Sequence, residues 1–235
     1  MTCKTEANEM NQIKMNRRRR ERQSGSTILE FAIVMPGLVM LFFGTIGLGI
    51  LMGRYIQAVQ VCRDVAHMYS DGVDFTQTTP QNIIVQQLAQ GTGITATGGN
   101  GVIILSQIHT VYQVDCTAAG ITPCTNLNLP VFTQRIVVGN SALRTSVFGT
   151  PAPAILDTSG SISPAVYLSN SNPTVRAAGF EAALDAAQVS AGGAGTAPAQ
   201  AQGTAAYVVE VFFQYPDIGF LGWSTSGGAY TRFIF

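Results

Sequence analysis

Few residues in this chain are of a type and spacing that could do chemistry, and the cysteines come first. Cys116 and Cys124 flank a short loop, while Cys3 and Cys62 lie far from them. The 116/124 pair reads either as a disulfide or as two free thiols. An oxidising compartment favours the bridge, which would stabilise by roughly 2–3 kcal/mol. A zinc site needs four converging ligands, and the only histidines, His67 and His109, have no suitable spacing. Both read as surface or half-buried polar residues. The glycine-rich stretches Gly91-Thr92-Gly93 and Gly98-Gly99-Asn100-Gly101 lack the Lys-Ser/Thr that completes a phosphate-binding loop. No lysine follows Lys14, which removes Ser-Lys catalysis and Schiff-base formation from the rest of the chain. Neither a Gly-x-Ser-x-Gly elbow nor a His-Glu-x-x-His helix is present. Glu210, in Val208-Val209-Glu210-Val211-Phe212, is predicted to point outward. No cofactor is implied, and the reading is of a protein that is not an enzyme.

One carboxylate stands where a carboxylate is expensive. Glu30 lies about one turn inside an apolar run from Ile28 to Met52. A lone charge there costs about 2.5–3.5 kcal/mol at mid-bilayer and less near the interface. Glu30 either snorkels to headgroup depth or has a cationic partner such as the amine of another chain. At about 1.5 Å per residue, the run reaches roughly 37 Å as a helix, enough to cross a bilayer core of about 30 Å. It is also longer than the h-region of an ordinary cleaved signal, about 7–15 residues.

Charge sets the orientation of this segment. Residues 1–25 hold seven of the thirteen Lys and Arg against three acids, whereas the remaining 210 carry six Arg against ten acids. Arg17-Arg18-Arg19-Arg20 could attract phosphates, but it lies a few residues before the apolar run and no aromatic residue is interleaved with it. Positive charge beside a membrane segment stays in the cytoplasm. The sequence therefore predicts a single-pass membrane protein. Its basic leader is cytoplasmic, its C-terminal part is exported, and it has no nucleic-acid partner.

Gly25-Ser26-Thr27-Ile28-Leu29-Glu30-Phe31, with its basic leader and apolar continuation, resembles the class III signal of type IV-like prepilins. That resemblance implies cleavage after Gly25 by an aspartic membrane prepilin peptidase, with Ser26 as the new N-terminus and Glu30 in fifth place. Within the superfamily, Glu-Phe-Ala-Ile-Val-Met-Pro from Glu30 to Pro36 is similar to the TadE-like pseudopilins of tight-adherence systems. So is Gln57-Ala58-Val59-Gln60-Val61-Cys62-Arg63-Asp64-Val65-Ala66 after the membrane. The tight-adherence major pilins carry Tyr directly after the Glu, where this chain has Phe31. The resemblance further implies that Glu30 pairs with a neighbouring N-terminal amine during assembly. It also implies a place in the bacterial inner membrane with the C-terminal part periplasmic or extracellular, and partners: an inner-membrane assembly platform, other pilins or pseudopilins, and membrane lipid.

The positioning elements follow. Tyr55, Val59, Cys62, Ala66 and Tyr69 share one helical face, so the helix is predicted to run from about Ser26 to Ser70 and stop at Asp71-Gly72. Its membrane half is residues 26–53 and its juxtamembrane half residues 54–71. Pro36 removes one backbone hydrogen bond inside it. Residues 72–235 are predicted as an α+β domain with about four mostly antiparallel strands and helices on one side. A short helix from Thr79-Pro80 to Gly91 and a loop to Gly101 come first. The strands are Val102 to Val114 with Val102, Ile104, Ile108, Tyr112 and Val114 on one face, then Val131 to Val138, Ala205 to Tyr215 and Tyr230 to Phe235. Residues 149–203, rich in Gly, Ala, Ser and Pro, are predicted as a mobile insertion with a helix at Thr174 to Val189.

These readings converge on a structural protein of a pilus-like assembly. Two others stay open: a membrane-anchored binding protein or enzyme, and a pseudopilin of a type II secretion-like machine.

Overall fold

The computed structural model describes residues 3–190, 204–214 and 227–235. The chain falls into two compact units, Met1–Leu51 and Met52–Phe235. The first is the leading part of α1, which runs from Cys3 to Ser70 and so begins well upstream of the predicted start. Within it, Ile28, Leu29, Phe31, Ile33, Val34, Leu38, Leu41 and Phe42 are all exposed. The helix is long and apolar enough to cross a membrane once, with mean hydropathy 2.2 over its most apolar window.

In the second unit the character of α1 changes. Ala58, Val61, Cys62, Val65, Ala66 and Tyr69 recur at intervals of three and one and are buried, forming a stripe down one side. This stripe is rotated from the predicted one, since Tyr55 is exposed and Val59 is half-buried. The helix ends at Gly72, whose φ of 83° suits glycine, and the Val73 N–H turns back to the Met68 carbonyl at 3.0 Å. Next come α2, Thr78–Ile83, and a wider π-helical turn, Ile84–Leu88. Arg54 and Gln57 of α1 donate to the carbonyls of Gly91 and Gln90 at 2.6 and 2.7 Å. These bonds satisfy carbonyls that the end of that turn leaves without helical partners.

Residues predicted as loop form a small hairpin, β1 (Ile94–Thr95) with β2 (Gly98–Gly99). The main sheet contains β3 (Gly101–Thr110), β4 (Pro130–Gly139), β5 (Ala205–Gln214) and β6 (Gly228–Ile234), in the order β4-β3-β5-β6. Every neighbouring pair is antiparallel, so the α+β architecture with four strands is the one observed. A register shift opposite Gln107 and Ile108 leaves Thr133 as the extra residue of β4. The first strand of this sheet is shorter than predicted: it stops at Thr110, and Gln113–Ala119 is a helix, α3. Asp115 in its first turn accepts the Tyr112 N–H at 2.7 Å, which favours a helical start over continued strand.

Both faces of this sheet are covered. On one, the α1 stripe packs with Ile103, Leu105, Ile136, Val138, Val209, Val211 and Phe213. The thiol of Cys62 is buried there and donates to the Val209 carbonyl at 3.3 Å. On the other, Ile108, Phe132, Ala206 and Val208 meet Phe148, Ile162, Ala177, Phe180 and Ala183. A third cluster joins Val111, Cys116, Val131, Leu168 and Val175.

The second layer comes from residues 149–190, the described part of the segment predicted as a mobile insertion. Residues 149–190 contain α4 (Pro164–Ser169) and α5 (Phe180–Ser190), and they bury Ile162, Leu168, Val175 and Phe180. The predicted helix at 174–189 therefore starts later, after a short 3-10 turn at Pro173–Val175. Residues 191–203 lie outside the described residues.

Candidate functional site

The segment singled out by the sequence is the apolar stretch of α1. Ile28, Leu29, Glu30 and Phe31 all lie exposed on the helix. Gly25 and Ser26 are also within α1. Pro36 is inside the helix, where it lacks the N–H that would bond to the preceding turn. A Cβ placed on Gly37, Gly44, Gly47, Gly49 or Gly53 would meet nothing within 4 Å. These glycines leave open backbone that another helix can approach closely.

Glu30 has its counterpart in the second unit in Glu210, which the structure buries although the sequence reading pointed it outward. Glu210 is 2% exposed because the strap of residues 140–149 folds over its side of β5. Its Oε1 accepts from the Tyr230 hydroxyl at 2.7 Å and from the Val147 N–H at 3.1 Å. Arg232 is its cross-strand neighbour on β6. The Arg144 guanidinium lies 3.8 Å from the centre of the Tyr230 ring, and Arg232 lies over Phe148 at 5.4 Å. From β4, Arg135 donates to the Gly149 carbonyl at 2.6 Å. Burial lowers the Arg135 guanidinium to about 10, partly opposed by the Glu210 charge. Arginines whose spacing in the sequence suggests nothing thus gather around one buried carboxylate. Only the alternation of β5, which places Glu210 on the same face as Val208, could have signalled it.

A second polar centre lies where β3 ends. His109 bonds to Asp115 of α3 and to the backbone carbonyl of Thr204, both at 2.9 Å. The next residue along α3, Cys116, is disulfide-bonded to Cys124, with Cα atoms 5.8 Å apart. Asn126, fully buried, braces the same region: it donates to the carbonyls of Tyr167 and Asn170 and accepts from Arg176.

An open cleft of 640 Å³ is lined by Ile155, Leu156, Asp157, Ser161, Ile162 and Val166 among others. Asp157 Oδ1 takes bonds from the Ser159 N–H, the Ser159 hydroxyl and the Ser161 N–H. The hydroxyl and amide donors of Ser159 and Ser161 hold the Asp157 carboxyl below the usual carboxylate range. Its lone pairs are thus used to shape its own loop. Among the described residues no group of three or more His, Cys, Asp or Glu is placed to hold a metal.

The apolar helix with an early glutamate and the sheet-docked continuation are the two halves of one matched region. Residues 25–67 match the family described as TadE-like protein. The match begins at the glycine of the expected cleavage site and ends near the bottom of the buried α1 stripe. None of the curated proteins and none of the solved structures matches the chain. The TadE-like likeness is therefore a property of α1, and the sheet unit that α1 enters is known by its own geometry alone.

Proposed function

We propose that this chain is a minor pseudopilin that acts structurally in assembling a tight-adherence-type pilus or secretion apparatus. The observation that carries this reading is the family match over residues 25–67, a segment whose apolar part is exposed. An exposed apolar helix with a carboxylate near its start has two surroundings that suit it: lipid, and other helices of its kind.

In this reading the basic leader remains cytoplasmic, held there by its excess of arginine, and residues 72–235 are exported. A prepilin peptidase cuts after Gly25, with Phe31 beside Glu30 as part of the signal it reads. The new amine of Ser26 then meets Glu30 of a neighbouring subunit. Inside a helix bundle an isolated carboxylate is strongly disfavoured, while a paired one is neutralised. The pairing therefore rewards one axial offset between subunits. Pro36, a turn and a half beyond, loosens the backbone where helices must adjust to each other. The partners are the inner-membrane platform, other pilins or pseudopilins, and lipid. The role needs no turnover of substrate.

The test is N-terminal sequencing of protein extracted from membranes, combined with an assembly assay on Glu30→Ala. A chain starting at Ser26 and loss of assembly in the variant are expected. An intact leader together with normal assembly of the variant would overturn the reading. Replacing residues 26–53 with an unrelated membrane helix separates it from a simple anchor, because an anchor would keep its function.

A further inference from the structure

His109 is 9% exposed near the end of β3, and both of its ring nitrogens face oxygen. Nδ1 lies 2.9 Å from the Thr204 carbonyl and Nε2 lies 2.9 Å from Asp115 Oδ2. A carbonyl can only accept, and so can an ionised carboxylate. Neutral imidazole has one N–H, so it serves one of these oxygens and turns a lone pair toward the other. The imidazolium has two and serves both.

The two oxygens belong to separate elements. Thr204 leads into β5, while Asp115 sits in the first turn of α3, one residue before the disulfide. Asp115 Oδ2 is also held by the Tyr112 N–H at 2.7 Å, so the carboxylate stays in place whatever the ring does. The strand neighbours of His109 are uncharged: Val131 on β4 and Ala205 on β5. Gln107 and Tyr207 follow on the same face of the sheet, 3.4 Å apart. From α4, Tyr167 senses Asp115: burial first and the Asp115 charge second push its hydroxyl up. Asp115 is thus the charge that His109 directly meets.

We propose that His109 is a proton-operated clamp that, as imidazolium, ties the entry of β5 at Thr204 to the disulfide-bonded helix α3 through Asp115. When one proton leaves, the remaining N–H stays on Nε2, because a bond to a carboxylate is about twice as strong as one to a neutral acceptor. The lone pair of Nδ1 then opposes the Thr204 carbonyl, and that tie is released. Acid closes the clamp and alkali opens it.

The experiment uses the full chain in detergent micelles with nitrogen-labelled histidine. The chain has two histidines, and His67→Gln assigns the signals. At acid pH both ring nitrogens of His109 should carry protons. As pH rises Nδ1 should lose its proton, and amide exchange at residues 204–206, corrected for intrinsic rates, should quicken about tenfold, the scale of one lost hydrogen bond. In the Asp115→Ala variant no carboxylate holds the remaining N–H on Nε2, so a neutral ring keeps Thr204 through Nδ1–H and the pH response should vanish. His109→Gln, which does not titrate, should abolish the response too and covers the case in which the Asp115→Ala chain fails to fold. A pH-independent exchange rate near Thr204 in the unmodified chain, or an unchanged response in either folded variant, would overturn the proposal.

Discussion

The Tyr230 hydroxyl on β6 donates to Glu210 on β5 at 2.7 Å, under a strap whose Val147 N–H donates to the same carboxylate oxygen. Removing either partner strands the other in a buried layer. Tyr230→Phe is expected to destabilise by about 1–3 kcal/mol. Glu210→Ala should cost more, about 3–5 kcal/mol, because Arg135 also loses a compensating charge. Denaturant unfolding of both variants and their combination checks this. The double variant should lose less than the sum of the singles.

The same pair sets a response to alkali. Burial first, then the hydrogen bond to Glu210 and its charge, push the Tyr230 hydroxyl above its ordinary value. The folded state therefore holds its proton beyond the point, about 10, at which an unfolded tyrosine releases it. This contribution is complete below that value and is lost as pH rises above it. Stability followed by circular dichroism should fall more steeply there in the unmodified chain than in Tyr230→Phe.

The disulfide anchors more than its own loop. Cys116 is buried among Val111, Val131, Leu168 and Val175, so α3 holds together the end of β3, the start of β4 and α4. Replacing Cys116 and Cys124 with alanine should cost roughly 2–3 kcal/mol. The loss should appear as a lower melting temperature with the fold retained, and a reducing agent should reproduce it in the unmodified protein.

Two glycines with left-handed backbone should differ in sensitivity. Gly139 has φ 102°, and a Cβ there would lie 2.3 Å from the Gly101 carbonyl. Gly72 has φ 83° but open space around it. Gly139→Ala should therefore cost about 1–3 kcal/mol and disturb the β1–β2 hairpin, while Gly72→Ala stays near about 1 kcal/mol. Equal melting temperatures for the two would contradict the steric argument.

The α+β class and all four sheet strands could be read from the sequence, because alternation in Val131 to Val138 and in Ala205 to Tyr215 is a local property. What could not be read was burial on both sides. Val102 to Ile108 reads as a strand with one apolar face, yet the residues between also find cover, since residues 149–190 supply a second layer. Small residues such as Ala177 and Ala183 have little hydrophobic weight in a sequence but fit closely against a sheet. Phe148 and Phe180, stacked edge to face at 5.8 Å, supply the bulk from well-separated positions. Glu210 was misread for the same reason: the strap that buries it, around Val147, lies 63 residues upstream. Glu30 draws notice in the sequence because a carboxylate inside an apolar run is a local anomaly. The pairing of His109 with Asp115 spans a strand end and a helix start, and no periodicity signals it.

Cys62, whose thiol is closed between α1 and β5, gives the helix a built-in reporter. An alkylating reagent can reach that sulfur only when α1 lifts from the sheet. The rate of labelling at this one atom thus counts the moments at which helix and sheet part from each other.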